Sequence, residues 1–202
     1  VLFENSPSWN IHPLMCENVI VDGVFIRNPA YAQNGDGLDL ESCKNALIVN
    51  STLDVGDDAI CLKSGKDEDG RKRGKPTENV IVDNCVVFKG HGGFVVGSEM
   101  SGGVRNVSVS NCKFMGTDVG LRFKSARDRG GLVDNIFIKD IYMKDIQNEA
   151  ILFDTYYENK EPGKSNTTPS VTDKTPHFCK FYIENIYCNG AKQAIKIAGL
   201  PE

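Results

Sequence analysis

The sequence of 202 residues has few of the features that mark membrane or nucleic-acid-binding proteins. No apolar run approaches the roughly 20 residues of a membrane-spanning helix, and the first residues show no signal-peptide pattern. The formal net charge is −4 at pH 7, whereas a nucleic-acid-binding protein normally carries a basic surface. These absences predict a soluble, single-domain globular protein, expected to be a monomer with neither nucleic acid nor membrane as a partner.

Cysteine pairs and helical periodicity are also lacking. None of the seven cysteines forms a Cys-x-x-Cys pair, which disfavours a zinc ribbon. Cys16 and Cys43 are 27 residues apart, as are Cys85 and Cys112, so we expect reduced cysteines stacked in a core. No long stretch repeats its apolar residues at the helical period. The chain opens with VLFENSPSWN, which is patterned like the middle of a domain, so we expect a fragment or a processed form.

What the sequence does contain is a repeat of two short templates. The first template begins with NVIVDGVF and recurs from residues Asn18, Asn45, Asn79, Asn106, Asn135 and Lys180. The second begins with GLDLES and recurs from residues Gly37, Ala59, Gly93, Gly120, Ala150 and Ala194. The asparagine that opens the first template in five copies predicts a ladder of amide side chains at a turn.

Both templates alternate apolar and polar residues with period two, which is typical of half-buried β-strands. Gly, Asn and Asp occupy the joints, where turns favour them. A repeat of about 27 residues without a helix predicts a parallel β-helix whose coils stack over a continuous core. We therefore expect one all-β domain over residues 1–202, with polar surface loops at 65–76 and 156–177.

Alignment of the repeats predicts which residues lie side by side on successive coils. Neighbouring strands are about 4.8 Å apart, so Asp58 should lie beside Asp36, and Asp57 beside His91. Adjacent residues of a straight strand face opposite sides, so Asp57 and Asp58 can share a cleft only if the chain bends. Gly56 makes such a bend plausible.

Three clustered aspartates suit the hydrolysis of a glycosidic bond, which needs a carboxylic acid and a carboxylate base. We expect Asp36 and Asp58 to deprotonate a water, and a carboxyl separation of roughly 6.5–9.5 Å, as in inverting enzymes. Asp57 would be the acid, with its pKa raised by the neighbouring carboxylates. His91 would hydrogen-bond to Asp57 and position it.

Two cations point the same way from one strand, two coils beyond the aspartate pair. Arg122 and Lys124 would bind a negatively charged sugar, although a charged outer face paired with Asp39 or Asp154 would give the same pattern. Asn34 and Tyr156 are further candidates for substrate contact, and Tyr157 and His12 lie where they could also reach the cleft.

Four stretches resemble, in order, the motifs of family 28 of the glycoside hydrolases, the polygalacturonases: NGDGLD (34–39), GDDAI (56–60), GHGG (90–93) and RFK (122–124). The resemblance implies a single-stranded right-handed parallel β-helix that cuts α-1,4 galacturonosyl linkages by inversion, with no metal or other cofactor. It implies the same roles for the residues discussed above. GSEMSGGVRNV is similar to the bacterial and plant-type branch, which includes exo-acting members.

The resemblance implies a pectic polysaccharide or oligogalacturonide substrate, and secretion or periplasmic export. Family members usually have several more coils before the first motif, so we expect a truncated or partial domain. Two alternatives stay open: a lyase that binds Ca²⁺ through acidic oxygens, and a non-catalytic β-helix that only binds glycan. The motifs leave open endo or exo cutting, and galacturonan or rhamnogalacturonan as substrate.

Overall fold

The computed structural model describes residues 1–157 and 168–202. In chain order, the elements are β1 (Leu2–Glu4), β2 (Glu17–Asp22), β3 (Phe25–Arg27), β4 (Leu38–Glu41), β5 (Lys44–Val49), β6 (Thr52–Asp54), β7 (Asp58–Lys63), α1 (Asp67–Arg73), β8 (Thr77–Asp83), β9 (Val86–Lys89), β10 (Gly92–Val96), β11 (Val104–Ser110), β12 (Lys113–Met115), β13 (Val119–Lys124), β14 (Leu132–Lys144), β15 (Glu149–Asp154), β16 (His177–Asn189) and β17 (Gln193–Ala198).

The strands stack as three parallel ladders around a common core, which confirms the predicted right-handed parallel β-helix. One ladder runs β2-β5-β8-β11-β14-β16, and a second runs β1-β3-β6-β9-β12-β14-β16, because the long strands β14 and β16 belong to both. The third ladder runs β4-β7-β10-β13-β15-β17. It is built from the second sequence template, and it carries the candidate site.

The first template covers two strands in most coils, where the alternating pattern predicts one. In the third copy, the buried residues are Val80, Val82, Cys85 and Val87, so the inward spacing is two, then three, then two. The extra residue falls at Asn84, whose φ of +53° turns the chain between β8 and β9. A change of phase in the apolar pattern therefore marks the corner between two faces.

The core is a continuous apolar column, with Phe94, Phe114 and Phe123 among its largest fully buried side chains. All seven cysteines are unpaired, and those at 43, 85 and 112 lie in this core as predicted. Cys16 is exposed, so the prediction that it packs in the core is wrong. Its backbone N–H donates to the Cys43 sulfur at 3.3 Å.

The two segments predicted as surface loops differ in what the structure shows of them. The segment 65–76 contains α1, which ends at Gly74. Gly74 has a φ of +57°, and its backbone N–H donates to the Gly70 carbonyl. Of the segment 156–177, residues 158–167 lie outside the described part. The described part of the chain contains no helix that is long and apolar enough to cross a membrane.

The predicted asparagine ladder is present at the start of the first face. From the second copy onward, each amide nitrogen donates to the amide oxygen of the coil before it, at 3.0–3.3 Å. All five asparagines have φ between +55° and +59°, a left-handed conformation that asparagine tolerates better than most residues. The ladder residues are Asn18, Asn45, Asn79, Asn106 and Asn135.

Replacement of the central ladder residue tests this arrangement. Asn79→Ala removes two side-chain hydrogen bonds and places alanine, which tolerates the left-handed conformation less well than asparagine, at a φ of +57°. We expect the free energy of unfolding to fall by about 2 kcal/mol, measured by urea denaturation. Asn79→Gly also lacks the bonds but adopts this φ freely, so it should lose about 1 kcal/mol less. Equal losses for the two variants would contradict a role for the backbone conformation.

Candidate active site

The aspartate pair lies at a bend that a glycine makes possible. A Cβ on Gly56 would come within 2.4 Å of the Pro29 carbonyl oxygen, so only glycine fits there. Asp57 lies in this bend, and Asp58 is the first residue of β7. The Asp57 carboxylate accepts a hydrogen bond from the Asp58 backbone N–H at 2.9 Å. The bend therefore lets two consecutive carboxylates face one cleft.

The strand registers bring a third carboxylate to the same place. Leu38 pairs with Ile60, which sets Asp36 beside Asp58 on the preceding coil. One oxygen from each of Asp36, Asp57 and Asp58 lies within 4.8 Å of the others. The predicted neighbours are thus correct, but the predicted separation of 6.5–9.5 Å is wrong. Residues in register on adjacent coils are only one strand spacing apart, and this spacing limits the distance.

His91 follows Asp57 in register on the next coil. Its Nδ1 lies 2.9 Å from an Asp57 carboxylate oxygen, and its backbone N–H donates to the Asp57 carbonyl at 2.8 Å. Burial favours a higher pKa for Asp57, but the hydrogen bond and charge of His91 outweigh it and lower the pKa below its usual value. The expectation of a raised Asp57 pKa is therefore wrong. The same hydrogen bond raises the pKa of His91.

Asp58 is fully buried and is neutralised by the two cations of β13. Its carboxylate lies 2.7 Å from Lys124 Nζ and 3.1 Å from an Arg122 guanidinium nitrogen. Burial would raise the pKa of Asp58, but these cations lower it below its usual value. In the described part of the chain, both cations pair with Asp58 and not with Asp39 or Asp154. The structure thus links the predicted base to the predicted substrate-binding residues.

Asp36 differs from the other two aspartates because it is ionised less readily. Burial and the charge of Asp58 raise its pKa to about 7, although Lys63 lowers it. The Lys63 ammonium lies 4.0 Å from an Asp36 carboxylate oxygen. Lys63 was not among the predicted site residues. It occupies the same position of the second template as Lys124, and this column could have identified it.

Aromatic rings lie over the cations on both sides of the carboxylates. The Tyr157 ring is 4.7 Å from Lys124 Nζ and 5.6 Å from the Arg122 guanidinium carbon. The Trp9 ring is 4.3 Å from Lys63 Nζ. Such contacts are typical of cation–π interactions. Trp9 carried no sequence signal, because it precedes the first repeat.

The other predicted contact residues lie at the edges of the site. Tyr156 is half-buried, and the structure shows its backbone N–H donating to the Asp154 carboxylate at 2.8 Å. Asn34 is exposed in the turn before Asp36, with a φ of +52°. His12 lies one coil before Asp36, and its Nε2 is 2.9 Å from a Glu41 carboxylate oxygen.

Comparison with known proteins shows what the chain is similar to. The sequence model of glycosyl hydrolases family 28 matches residues 1–178. The chain is 32% identical to an exo-poly-alpha-D-galacturonosidase of Dickeya chrysanthemi, over 98% of this chain and 33% of that protein. It is 37% identical to an endo-polygalacturonase of Pectobacterium carotovorum subsp. carotovorum, over 84% of this chain and 40% of that protein.

A solved structure with a similar fold is that of a hyperthermoactive exopolygalacturonase from Thermotoga maritima. It superimposes with a TM-score of 0.89 at 39% sequence identity, covering 99% of this chain and 43% of the other. The chain spans 29–40% of the length of three curated relatives that it matches. For the three proteins described above, the similarity extends over 84–99% of this chain and over less than half of each of them.

Proposed function

Because this chain belongs to family 28 of the glycosyl hydrolases, we propose that it hydrolyses α-1,4 galacturonosyl linkages in pectic polysaccharide or oligogalacturonides. The observation that carries the proposal is the cluster of Asp36, Asp57 and Asp58, whose carboxylate oxygens lie within 4.8 Å of one another. Paired carboxyl groups of this kind supply the acid and the base of glycoside hydrolysis. We also propose that the protein acts outside the cytoplasm, where pectic polymers occur. We propose that it acts as a monomer.

Asp36 and Asp58 together would hold the attacking water. Asp58 stays ionised because Lys124 and Arg122 lower its pKa, whereas the pKa of Asp36 is raised to about 7. Asp36 is therefore better suited to accept the proton from the water, since its conjugate acid is stable near neutral pH. Asp58 would orient the water through its ionised oxygens.

The proton for the leaving oxygen would be carried by His91 and Asp57 as a coupled pair. A protonated His91 beside an ionised Asp57 contains the same number of protons as a neutral His91 beside a protonated Asp57. The lowered pKa of Asp57 is therefore compatible with acid catalysis. Because the pKa of His91 is raised, the pair keeps this proton below the folded-state pKa of His91 and loses it as the pH rises through that value.

The basic side of the cleft supports an acidic sugar as substrate. Arg122, Lys124 and Tyr157 form a compact group next to Asp58, with the tyrosine ring over both cations. A galacturonate carboxylate could bind the guanidinium, and the sugar face could pack on the aromatic ring. Asn34 and Tyr156 would contact the substrate at the edge of the cleft.

Product analysis on polygalacturonic acid tests the proposal. We expect saturated galacturonic acid or saturated oligogalacturonates, formed equally well in EDTA. Monomer alone would indicate exo cutting, and mixed oligomers endo cutting. Unsaturated, ultraviolet-absorbing products that disappear in EDTA would instead indicate a lyase. Binding without any product would indicate a glycan-binding protein.

The stereochemical course needs its own measurement, because the carboxylates are closer than the usual range for inversion. We propose inversion on the family resemblance. Proton NMR during the first turnovers should then show the β-anomer as the initial product of the α-linkage. An initial α-anomer would contradict inversion without contradicting hydrolysis.

A further inference from the structure

A buried lysine lies next to the carboxylate cluster, on the strand β7 that also carries Asp58. The side chain of Lys63 is 4% exposed, and its ammonium is surrounded by three acidic side chains. Its Nζ is 2.9 Å from Glu99, 3.4 Å from Asp39 and 4.0 Å from Asp36. The Trp9 ring covers the ammonium at 4.3 Å. We call these four charged side chains and Trp9 the lysine cluster.

Lys63 is protonated in this setting, and the three acids differ in the direction in which their pKa values are shifted. Burial lowers the pKa of Lys63, but Cys61, Asp39 and Glu99 raise it more, and the result is well above the usual value. Burial raises the pKa of Asp39 well above its usual range, although the nearby Lys63 ammonium lowers it. Burial raises the pKa of Glu99, but the charge of Lys63 outweighs burial, and the pKa of Glu99 falls to about 2.

Three acids share one ammonium. Glu99 is ionised and makes the shortest contact, Asp39 lies 3.4 Å from the ammonium, and Asp36, whose pKa is about 7, lies 4.0 Å from it. Asp39 is fully buried and its carboxyl oxygens have no hydrogen-bond partner among the described residues, although Lys63 Nζ lies within ion-pair distance. Lys63 is the strongest of the charges that favour the ionised form of Asp36, so the share of this charge that Glu99 takes affects how readily Asp36 ionises.

We propose that Lys63 is a positioning residue of the hydrolysis reaction, whose buried ammonium keeps Asp36 ionised and in place to accept the proton of the attacking water. This inference rests on the proposed function for its chemical meaning. The Lys63 side chain is 4% exposed and the Trp9 ring lies over its ammonium, so it acts through Asp36 and not through direct contact with substrate.

Other charges also act on Asp36, and they must stay constant in a test. Asp58 and Asp57 raise the pKa of Asp36, whereas Lys63 and the more distant Lys124 lower it. The groups that face Lys63 are Asp36, Asp39, Asp58, Cys61 and Glu99. Replacement of Lys63 or Glu99 leaves the other groups around Asp36 unchanged.

Carboxyl NMR measures the proposal without needing catalytic activity. Protein labelled with ¹³C at the aspartate carboxyls is titrated, and the Asp36 signal is assigned by its loss in Asp36→Asn. We expect Lys63→Met to raise the Asp36 midpoint by about one pH unit, because a cation at this distance favours the ionised form. Glu99→Gln should lower the midpoint, because it leaves the ammonium to Asp36. Lys196→Met, which changes a half-exposed lysine of β17, should leave it unchanged.

Opposite shifts in the two variants distinguish positioning from a merely structural role. An Asp36 midpoint that stays the same in Lys63→Met would overturn the proposal. If that variant does not fold, the Glu99→Gln titration decides alone, and an unchanged or raised midpoint there overturns it. Where the wild type is active, the acid limb of kcat/KM should move with the midpoint. A wild type without activity would contradict the proposed function, while the NMR result still decides the role of Lys63.

Discussion

Asp57→Asn is expected to lower kcat on polygalacturonic acid by about 10³-fold, within the range that a positioned acid or base contributes. Asparagine can accept the hydrogen bonds from His91 and from the Asp58 backbone N–H, so the local structure should persist. It cannot donate the proton that the leaving oxygen needs. The measurement is the initial rate of reducing-end release at saturating substrate.

A nearby aspartate provides the matched control for this variant. Asp118 is about half-exposed and lies 4.0 Å from the other ring nitrogen of His91. Asp118→Asn changes the same chemical group beside the same histidine, yet it should stay close to wild type. If Asp57→Asn retained most of its activity, the proposed acid role would be wrong. Equal losses in both variants would indicate that His91, and not Asp57, is the sensitive group.

Phe123→Ala is expected to lower the free energy of unfolding by about 3–5 kcal/mol, the usual cost of truncating a buried aromatic residue. Phe123 is fully buried, and its ring stacks on Phe153 at 4.6 Å between centroids. Phe94 and Phe181 also contact it, at 6.4 and 4.9 Å. Three rings from neighbouring coils would thus lose their common partner. Urea denaturation followed by far-ultraviolet circular dichroism measures the loss.

Phe123→Leu is the matched variant, since it keeps most of the apolar volume and should lose clearly less stability. Both changes lie between Arg122 and Lys124, whose side chains contact Asp58 from the opposite face of β13. We therefore expect Phe123→Ala also to weaken substrate binding at temperatures where it remains folded. A variant as stable as wild type would show that the aromatic stack does not hold the coils together.

The sequence predicted the fold and the grouping of the site for one physical reason. In a stacked ribbon, residues that align in the repeat also lie side by side, so the neighbours of Asp58 and of Asp57 follow from the spacing of the templates. The asparagine ladder follows in the same way. The exposure of Cys16 did not follow, because alignment of the repeat identifies neighbours and not how much solvent a side chain contacts.

Distances and protonation states could not be obtained from the alignment. The separation of the carboxylates depends on the strand spacing and on the bend at Gly56, whereas the chemistry alone suggested a wider gap. The direction of the Asp57 pKa shift depends on the balance between burial, which raises the pKa, and His91 at 2.9 Å, whose hydrogen bond and charge lower it further. Lys63 was overlooked because a lysine on a strand is usually solvated, and only the packing shows it buried beneath Trp9.

The asparagine row also bears on how such a rod can change in length. The three interior amides, Asn45, Asn79 and Asn106, each donate to the preceding coil and accept from the following one, so a duplicated coil would join the row without leaving a polar group unmatched. Growth by whole repeats is therefore compatible with this scaffold outside the span from Asp36 to Lys124. Within that span a duplicated coil would separate the reacting groups, so lengthening the rod there would disrupt the proposed active site.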